Sequence, residues 1–219
     1  MAELHDATEH YLETILEIEE EGVTPIRARI VERLGLSAAA VSEQVNRLVD
    51  QGFAELLADR SLRLTSKGRE LATSIVRRHR LAERLLTDVI GLEWQKVHRE
   101  ADRWEHAISA EVEEKLVELL GDPATCPHGN PIPGSHRRKG GSKAVDLATV
   151  APGPFTVTRI SEKLELDDDA LALIADARLI PGSPATMTKS GPDGIVVETD
   201  AGETTVPTEI AALMFVSPS

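Results

Sequence analysis

Apolar residues recur at helical spacing from the start of the chain. Ala7, Tyr11, Ile15 and Ile18 fall on one face. Asp6 followed by Glu9 reads as a capping box that opens this helix. Glu19-Glu20-Glu21-Gly22 closes it, with an acidic end that suits the helix dipole poorly. Thr24-Pro25 starts a second helix, Ile26 to Leu34. Gly35-Leu36-Ser37 is a tight turn with Ser37 as N-cap. Ala38 to Asp50 is a third helix with Val41, Val45 and Leu48 inward, ended by Gly52. Two short runs of β character, Phe53–Leu57 and Leu62–Thr65, flank the turn segment Ala58–Ser61. The helical period then returns, over Ser66 to Ile90 with Gly91 as its stop, and over Glu93 to Leu120 with a break near Ser109.

Residues 121–143 are rich in Gly, Pro and Ser and read as a loop passing into a flexible linker. From Leu147 onward Trp, Tyr and His are absent. There, Phe155–Ile160, Ile195–Glu198 and Ala212–Val216 are predicted strands, with turns at Pro181-Gly182 and Pro192-Asp193-Gly194 and one short helix over Asp167–Asp176. The fold class is mainly α with small β parts. A winged helix–turn–helix covers 1–72, a helical domain 73–134, a flexible linker 135–146 and a small barrel-like domain 147–219.

A chain of 219 residues, 41% hydrophobic, can bury a core and is not disordered throughout. It holds no run of ~18 apolar residues, so no membrane span is expected. Its N-terminus shows no basic-then-apolar secretion signal. Cys126 is the single cysteine, which excludes an internal disulfide and fits a reducing compartment; the cytoplasm is the expected location. The net charge of −13 argues against a generic nucleic-acid coat protein. The charge is uneven, however. Residues 1–22 carry no Lys or Arg, whereas Arg60, Arg63, Lys67, Arg69, Arg77, Arg78, Arg80 and Arg84 face only Glu70 and Glu83 between 60 and 84.

Two helices joined by Gly-Leu-Ser and followed by a hairpin point to DNA. In a winged helix–turn–helix the second helix enters the major groove with its N-terminal residues at the base edges. Those residues are Ser37, Ala38, Ala39, Ala40, Ser42, Glu43 and Gln44, and Gln44 could pair with an adenine edge. Arg27, Arg47 and Arg60 are placed for phosphates. Glu43 would repel phosphate unless it accepts from a cytosine amino group.

Histidines and carboxylates also keep helical spacing. His79 and Glu83 are four apart, and His98, Asp102, Glu105 and His106 share one face. His98 and His106 would lie ~12 Å apart along a helix, too far for one ion but suited to two neighbouring ions. His10 lies on the first helix beside its apolar stripe. Like charges on one helix face are costly without a cation, so the combination suggests metal.

Thr24-Pro25-Ile26-Arg27-Ala28-Arg29, the string Arg78 to Leu86, Val97-His98, Arg103-Trp104-Glu105-His106 and the loop His128 to Gly134 closely resemble the diphtheria toxin repressor family, which contains iron-dependent regulators and manganese transport regulators. The resemblance is strongest over 4–134. It implies a homodimeric, metal-activated transcriptional repressor, not an enzyme, that binds double-stranded operator DNA and takes no small-molecule substrate. It makes 73–134 the dimerisation and metal-binding domain and 147–219 an SH3-like domain. It implies a primary metal site at His10, Asp102, Glu105 and His106, and an ancillary site at His79, Glu83 and His98 with a carboxylate from the SH3-like domain, aligned to Asp167. The family's following Gln ligand falls on Ala170, where Asp168 or Asp169 could substitute.

The iron-regulating branch has Met where this chain has His10 and Cys where it has Asp102. Replacing sulfur by imidazole and carboxylate favours Mn²⁺, with Fe²⁺ or Co²⁺ as alternatives that the same nitrogen and oxygen donors accept. Trp104, Ile108, Val112, Leu116 and Leu120 form the expected dimer stripe. The rival readings are a dinuclear metalloenzyme built from the same Glu and His spacing, and a helix–turn–helix regulator of small organic ligands.

Overall fold

The computed structural model describes residues 2–137 and 144–218. The centre of the expected linker, 138–143, lies outside the described residues. The chain divides into two compact units, residues 1–78 and 79–219. The helical region beyond His79 and the C-terminal barrel therefore belong to one unit, and the division falls six residues past the expected boundary at 72.

In the first unit, α1 spans Ala2–Glu20. It begins ahead of Asp6, because Ala2, Glu3 and Leu4 are good helix formers and nothing breaks the turn before it. It buries Tyr11, Leu12, Ile15, Leu16 and Ile18. Its acidic end is answered by arginines: Arg33 pairs with Glu21 at 2.7 Å and Glu17 at 3.6 Å, and Arg69 with Glu19 at 2.6 Å. Helix α2 covers Arg27–Leu34 and ends at Gly35, whose φ of 65° is left-handed. Helix α3 covers Ala38–Asp50, and the Ser37 hydroxyl accepts from Ala40 N–H at 3.2 Å. Strands β1 (Ala54–Leu56) and β2 (Leu62–Leu64) pair antiparallel, Ala54 opposite Leu64. The core joins α1, α2 and α3 to the hairpin through Ile30, Val41, Val45, Leu48, Leu62 and Leu64.

Helix α4, Ser66–Leu85, carries the division between Arg78 and His79. Gly68 in its first turn is required, since a Cβ there would stand 1.9 Å from the Phe53 carbonyl oxygen. The helix was expected to reach Ile90; it widens instead into a π-turn over Leu86–Ile90 that Gly91 ends at φ 77°. After a 3-10 turn at Trp94–Lys96 come α5, Val97–Trp104, and α6, Ala110–Leu120. Ser109 caps α6 by accepting from Val112 N–H at 3.3 Å, so the expected break is a new N-cap. Leu81, Leu86, Val97, Ala101, Ile108, Leu116 and Ile132 form this region's core.

Strand β3 (Val145–Asp146) and β4 (Gly153–Ile160) are followed by the short helices α7 (Glu162–Glu165) and α8 (Asp168–Asp176). Then come β5 (Pro184–Gly191), β6 (Gly194–Thr199), β7 (Gly202–Val206), α9 (Thr208–Ala211) and β8 (Met214–Pro218). The antiparallel order is β3-β8-β4-β5-β6-β7. This is the SH3-like barrel, closed around Phe155, Val157, Ile174, Met187, Val197 and Val216. Sequence periodicity missed β5 and β7 because much of both strands is exposed and polar.

Candidate DNA-reading face and metal centre

The first residues of α3 are exposed from Ser37 to Ala40, and Ser42 is half-buried. Glu43 and Arg47 pair with one another, which answers the repulsion expected of Glu43. Arg27 is half-buried and donates to Asn46 Oδ1 at 2.8 Å. Arg60 is exposed at the hairpin turn, in the left-handed region at φ 66°. Gln44 departs from expectation. It points inward, buried, and its Nε2 donates to Thr8 Oγ1 on α1 at 3.3 Å. At offsets of three and four from Val41 and Leu48 it shares their apolar face, so it ties α3 to α1 and is not presented to a base edge.

In the second unit the predicted ligands converge. His79 on α4 places Nδ1 2.6 Å from Glu105 Oε2 and 3.4 Å from Asp102 Oδ1, and Nε2 3.1 Å from His98 Nδ1. Glu83 Oε1 lies 3.5 Å from His79 Nε2 and 3.6 Å from His98 Nδ1. Glu105 is buried, and its other oxygen is 3.3 Å from His106 Nε2. Asp102 and His106 are half-buried. His79 thus links the residues expected at the primary site to those expected at the ancillary one. His10, exposed on α1, belongs to the first unit.

Asp167 is not part of this cluster. Its Oδ1 accepts from Ala170 N–H at 3.0 Å and caps α8, the local use that Asp favours at a helix start. Asp168 is exposed and pairs with Arg99. The SH3-like carboxylates come from the preceding helix. Glu165 Oε2 is 3.1 Å and Glu162 Oε2 is 3.8 Å from His98 Nδ1. The signal was present in the sequence as a Glu-x-x-Glu pair, which one turn of α7 puts on one face. Two residues of the loop after α6 were also missed as members. His128 Nδ1 is 3.0 Å from Glu83 Oε1 and 2.7 Å from Glu165 Oε2, and Cys126 is buried beside it.

Burial and charge oppose each other here. Burial alone would lower the His79, His98 and His128 imidazoles, but contacts with Glu105, Glu83 and Glu165 hold all three well above the ordinary value. Burial would raise Glu83, yet His128, His79 and His98 keep it well below the usual carboxylate range. Burial and the neighbouring Glu162 push Glu165 up, and burial pushes the Cys126 thiol up to about 12. Arg80, buried, donates to Glu162 Oε1 from Nε at 3.2 Å and Nη2 at 2.9 Å, and to the Pro131 carbonyl at 2.6 Å. A divalent cation fits this donor set. The ligand atoms of His79, Glu83 and His98 lie within 4.8 Å of one another, and buried Glu83 Oε2 has no hydrogen-bond partner among the described residues.

Ile108 and Leu116 of the expected dimer stripe lie in the chain's own core, with Trp104 and Leu120 packed against it. Val112 is exposed, as are Val89, Ile90 and Leu119.

Comparison with known proteins identifies the class. Residues 3–62 match the iron dependent repressor N-terminal DNA binding domain, and residues 65–134 match the iron dependent repressor metal binding and dimerisation domain. The diphtheria toxin repressor of Corynebacterium diphtheriae is 48% identical over 84% of both chains. The iron-dependent repressor IdeR of Mycobacterium tuberculosis is 43% identical over 96% of both. A solved manganese-dependent transcriptional repressor in complex with manganese superposes with a TM-score of 0.83 at 29% identity, covering 97% of this chain and 100% of that one. The chain belongs to the diphtheria toxin repressor family of metal-dependent transcriptional repressors. The family's members are regulators and not enzymes, which removes the dinuclear-enzyme reading. No helix among the described residues is long and apolar enough to cross a membrane.

Proposed function

We propose that this chain is a Mn²⁺-activated homodimeric repressor that controls metal-homeostasis genes from operator DNA in the cytoplasm. His10, Asp102, Glu105 and His106 would hold the activating cation. His79, Glu83 and His98, with Glu162 and Glu165, would hold a second. The observation that carries the choice of metal is the donor set at the first position, in which Asp102 offers a half-exposed oxygen and sulfur is absent. When bound, a divalent cation supplies the positive charge that lets these carboxylates stand together.

The chain's own residues suggest how the response reaches DNA. His10 stands two residues from Thr8, and Thr8 holds Gln44 of α3. Fixing His10 restrains α1, and α1 carries the reading helix. In a dimer this sets the separation of two reading helices to half-sites ~34 Å apart or a multiple. Operator DNA must reciprocally raise metal affinity.

The test is anaerobic operator-fragment binding titrated with Mn²⁺, Fe²⁺, Co²⁺ and Zn²⁺ at fixed pH and salt. Mn²⁺ is expected to activate, and His10→Met with Asp102→Cys is expected to move the response toward Fe²⁺. Activation by Fe²⁺ with indifference to Mn²⁺ would establish the second reading, an Fe²⁺-dependent repressor. That reading is favoured by the identity with relatives named iron-dependent.

A further inference from the structure

Glu83 stands between two ligand sets. One is nitrogen-rich, His79 and His98. The other is made by the loop after α6, where the ligand atoms of Cys126, His128 and Glu83 all lie within 4.8 Å of one another and all three residues are buried. We propose that Cys126, His128 and Glu83, with Glu165 beside them, form a separate cation seat for a borderline-soft divalent ion of the zinc class. This goes beyond the function proposed above and shares Glu83 and Glu165 with it.

Three observations support the seat. His128 turns Nδ1 to Glu83 Oε1 at 3.0 Å and Glu165 Oε2 at 2.7 Å, while its Nε2 lies 3.3 Å from the Trp94 carbonyl oxygen. An imidazole whose second nitrogen donates to a backbone carbonyl is held in the tautomer that ligates. Glu83 Oε2 is buried without a hydrogen-bond partner among the described residues, so an acceptor is left for a cation. The loop is also rigidly placed. Cys126 N–H donates to the Asn130 carbonyl at 2.8 Å, and Gly129 N–H to the Cys126 carbonyl at 3.0 Å. Gly129 lies so close to β4 that a Cβ would stand 2.2 Å from the Thr158 carbonyl oxygen.

The chemistry separates the two sets. A sulfur, an imidazole and two carboxylate oxygens, one each from Glu83 and Glu165, make a four-coordinate set of the kind Zn²⁺ takes, whereas Mn²⁺ prefers oxygen-rich shells. Binding replaces the proton on Sγ, and any proton on Nδ1, by bonds to the cation; the displaced protons pass to solvent. Both sets draw on Glu83, so Glu83→Gln weakens both, and Cys126→Ser removes the sulfur seat alone.

Cobalt titration of the full chain, anaerobic and without added thiols, tests this. Cys126 is the only cysteine, so any sulfur-to-cobalt charge-transfer band in the near ultraviolet reports it. A saturable band is expected that Zn²⁺ abolishes and excess Mn²⁺ leaves. Cys126→Ser should lose it while keeping the visible cobalt bands of the other ligands and Mn²⁺-activated operator binding. Visible bands without the charge-transfer band in the unaltered chain, or a band that survives Cys126→Ser or yields to Mn²⁺, overturn the proposal. Failure of Mn²⁺ to activate operator binding would overturn the proposed function and leave the band unaffected.

Discussion

In residues 1–78 the ion pairs of the reading helix and the hairpin lie at the surface: Arg63 with Glu55 and Arg47 with Glu43 are both largely exposed. Residues 79–219 carry surface pairs too, such as Lys115 with Glu118, but they also enclose a connected cluster of charges. His79, Arg80, Glu83, His128, Glu162 and Glu165 are each at most 4% exposed. The first unit holds these pairs on its surface around an apolar core, and its largely buried polar side chains, such as Gln44 and Arg33 with Glu21, make small separate contacts. The second encloses a network of acids and bases that are stable only together, because each member removed leaves a buried charge unanswered.

The largest effect should come from breaking that enclosure. Arg80→Ala strands the Glu162 carboxylate and should cost about 3–5 kcal/mol of stability by urea unfolding of the chelated protein. Arg63→Ala, which opens a surface pair, should cost no more than about 1 kcal/mol. Similar losses from the two would erase the contrast between the units.

The second unit should also show itself in the pH dependence of the metal-free protein. His79, His98 and His128 have raised values in the folded state. Their stabilisation is complete below the ordinary imidazole value near about 6.5 and is lost as pH rises through the folded values above it. Glu165, also raised, acts in the same direction. Glu83 and Glu162 are lowered, so their contribution is present above about 4.3 and is lost as pH falls through their folded values. Stability should therefore peak between about 4.3 and 6.5 and fall toward alkaline pH. His128→Phe should flatten the alkaline fall. Urea midpoints across pH measure both, and a flat profile in the unaltered chain would contradict the buried imidazoliums.

The reading helix was legible almost residue for residue, because Ser37, the inward Val41, Val45 and Leu48, and Gly52 are local signals. The clustering of His79, Glu83, His98, Asp102 and Glu105 was legible in outline, because helical spacing fixes which side chains share a face. For Glu162 and Glu165 only the shared face was legible, as a Glu-x-x-Glu pair; what that face meets, like the place of His128, is set by the tertiary packing of a four-residue helix and a loop. Asp167 lost to a local competitor, the N-cap of α8. Gln44 carried the reverse error. Its position in the helix was right, but a polar residue on an apolar face had been read as facing outward.

Gln44 and Arg60 now test the first unit from its two sides. Arg60→Ala should weaken all duplexes alike and lower the salt slope by ≈ 1, as loss of a phosphate contact does. Gln44→Ala should leave base preference unchanged and cost about 1 kcal/mol of stability through the lost hydrogen bond to Thr8. It should also blunt metal activation, since it loosens α3 from α1. A change of base preference in Gln44→Ala would mean that its side chain leaves the interior on DNA.

The smallest expected effect compares one cap in each unit. Ser37 and Ser109 both accept a hydrogen bond from the third residue on, at 3.2 Å and 3.3 Å, and both are exposed. Replacing either by Ala should cost about 0.5–2 kcal/mol of stability. The two should part in function. Ser37 opens the reading helix, so Ser37→Ala frays the end that meets DNA and should weaken operator binding even when the protein is fully folded and metal-loaded. Ser109 opens α6 in the other unit, so Ser109→Ala should lower the unfolding midpoint and leave operator affinity at saturating metal unchanged. Fluorescence anisotropy on one operator fragment, beside urea unfolding of both variants, separates the outcomes. Equal loss of affinity from both would mean that the reading helix responds to the helical region's stability as a whole.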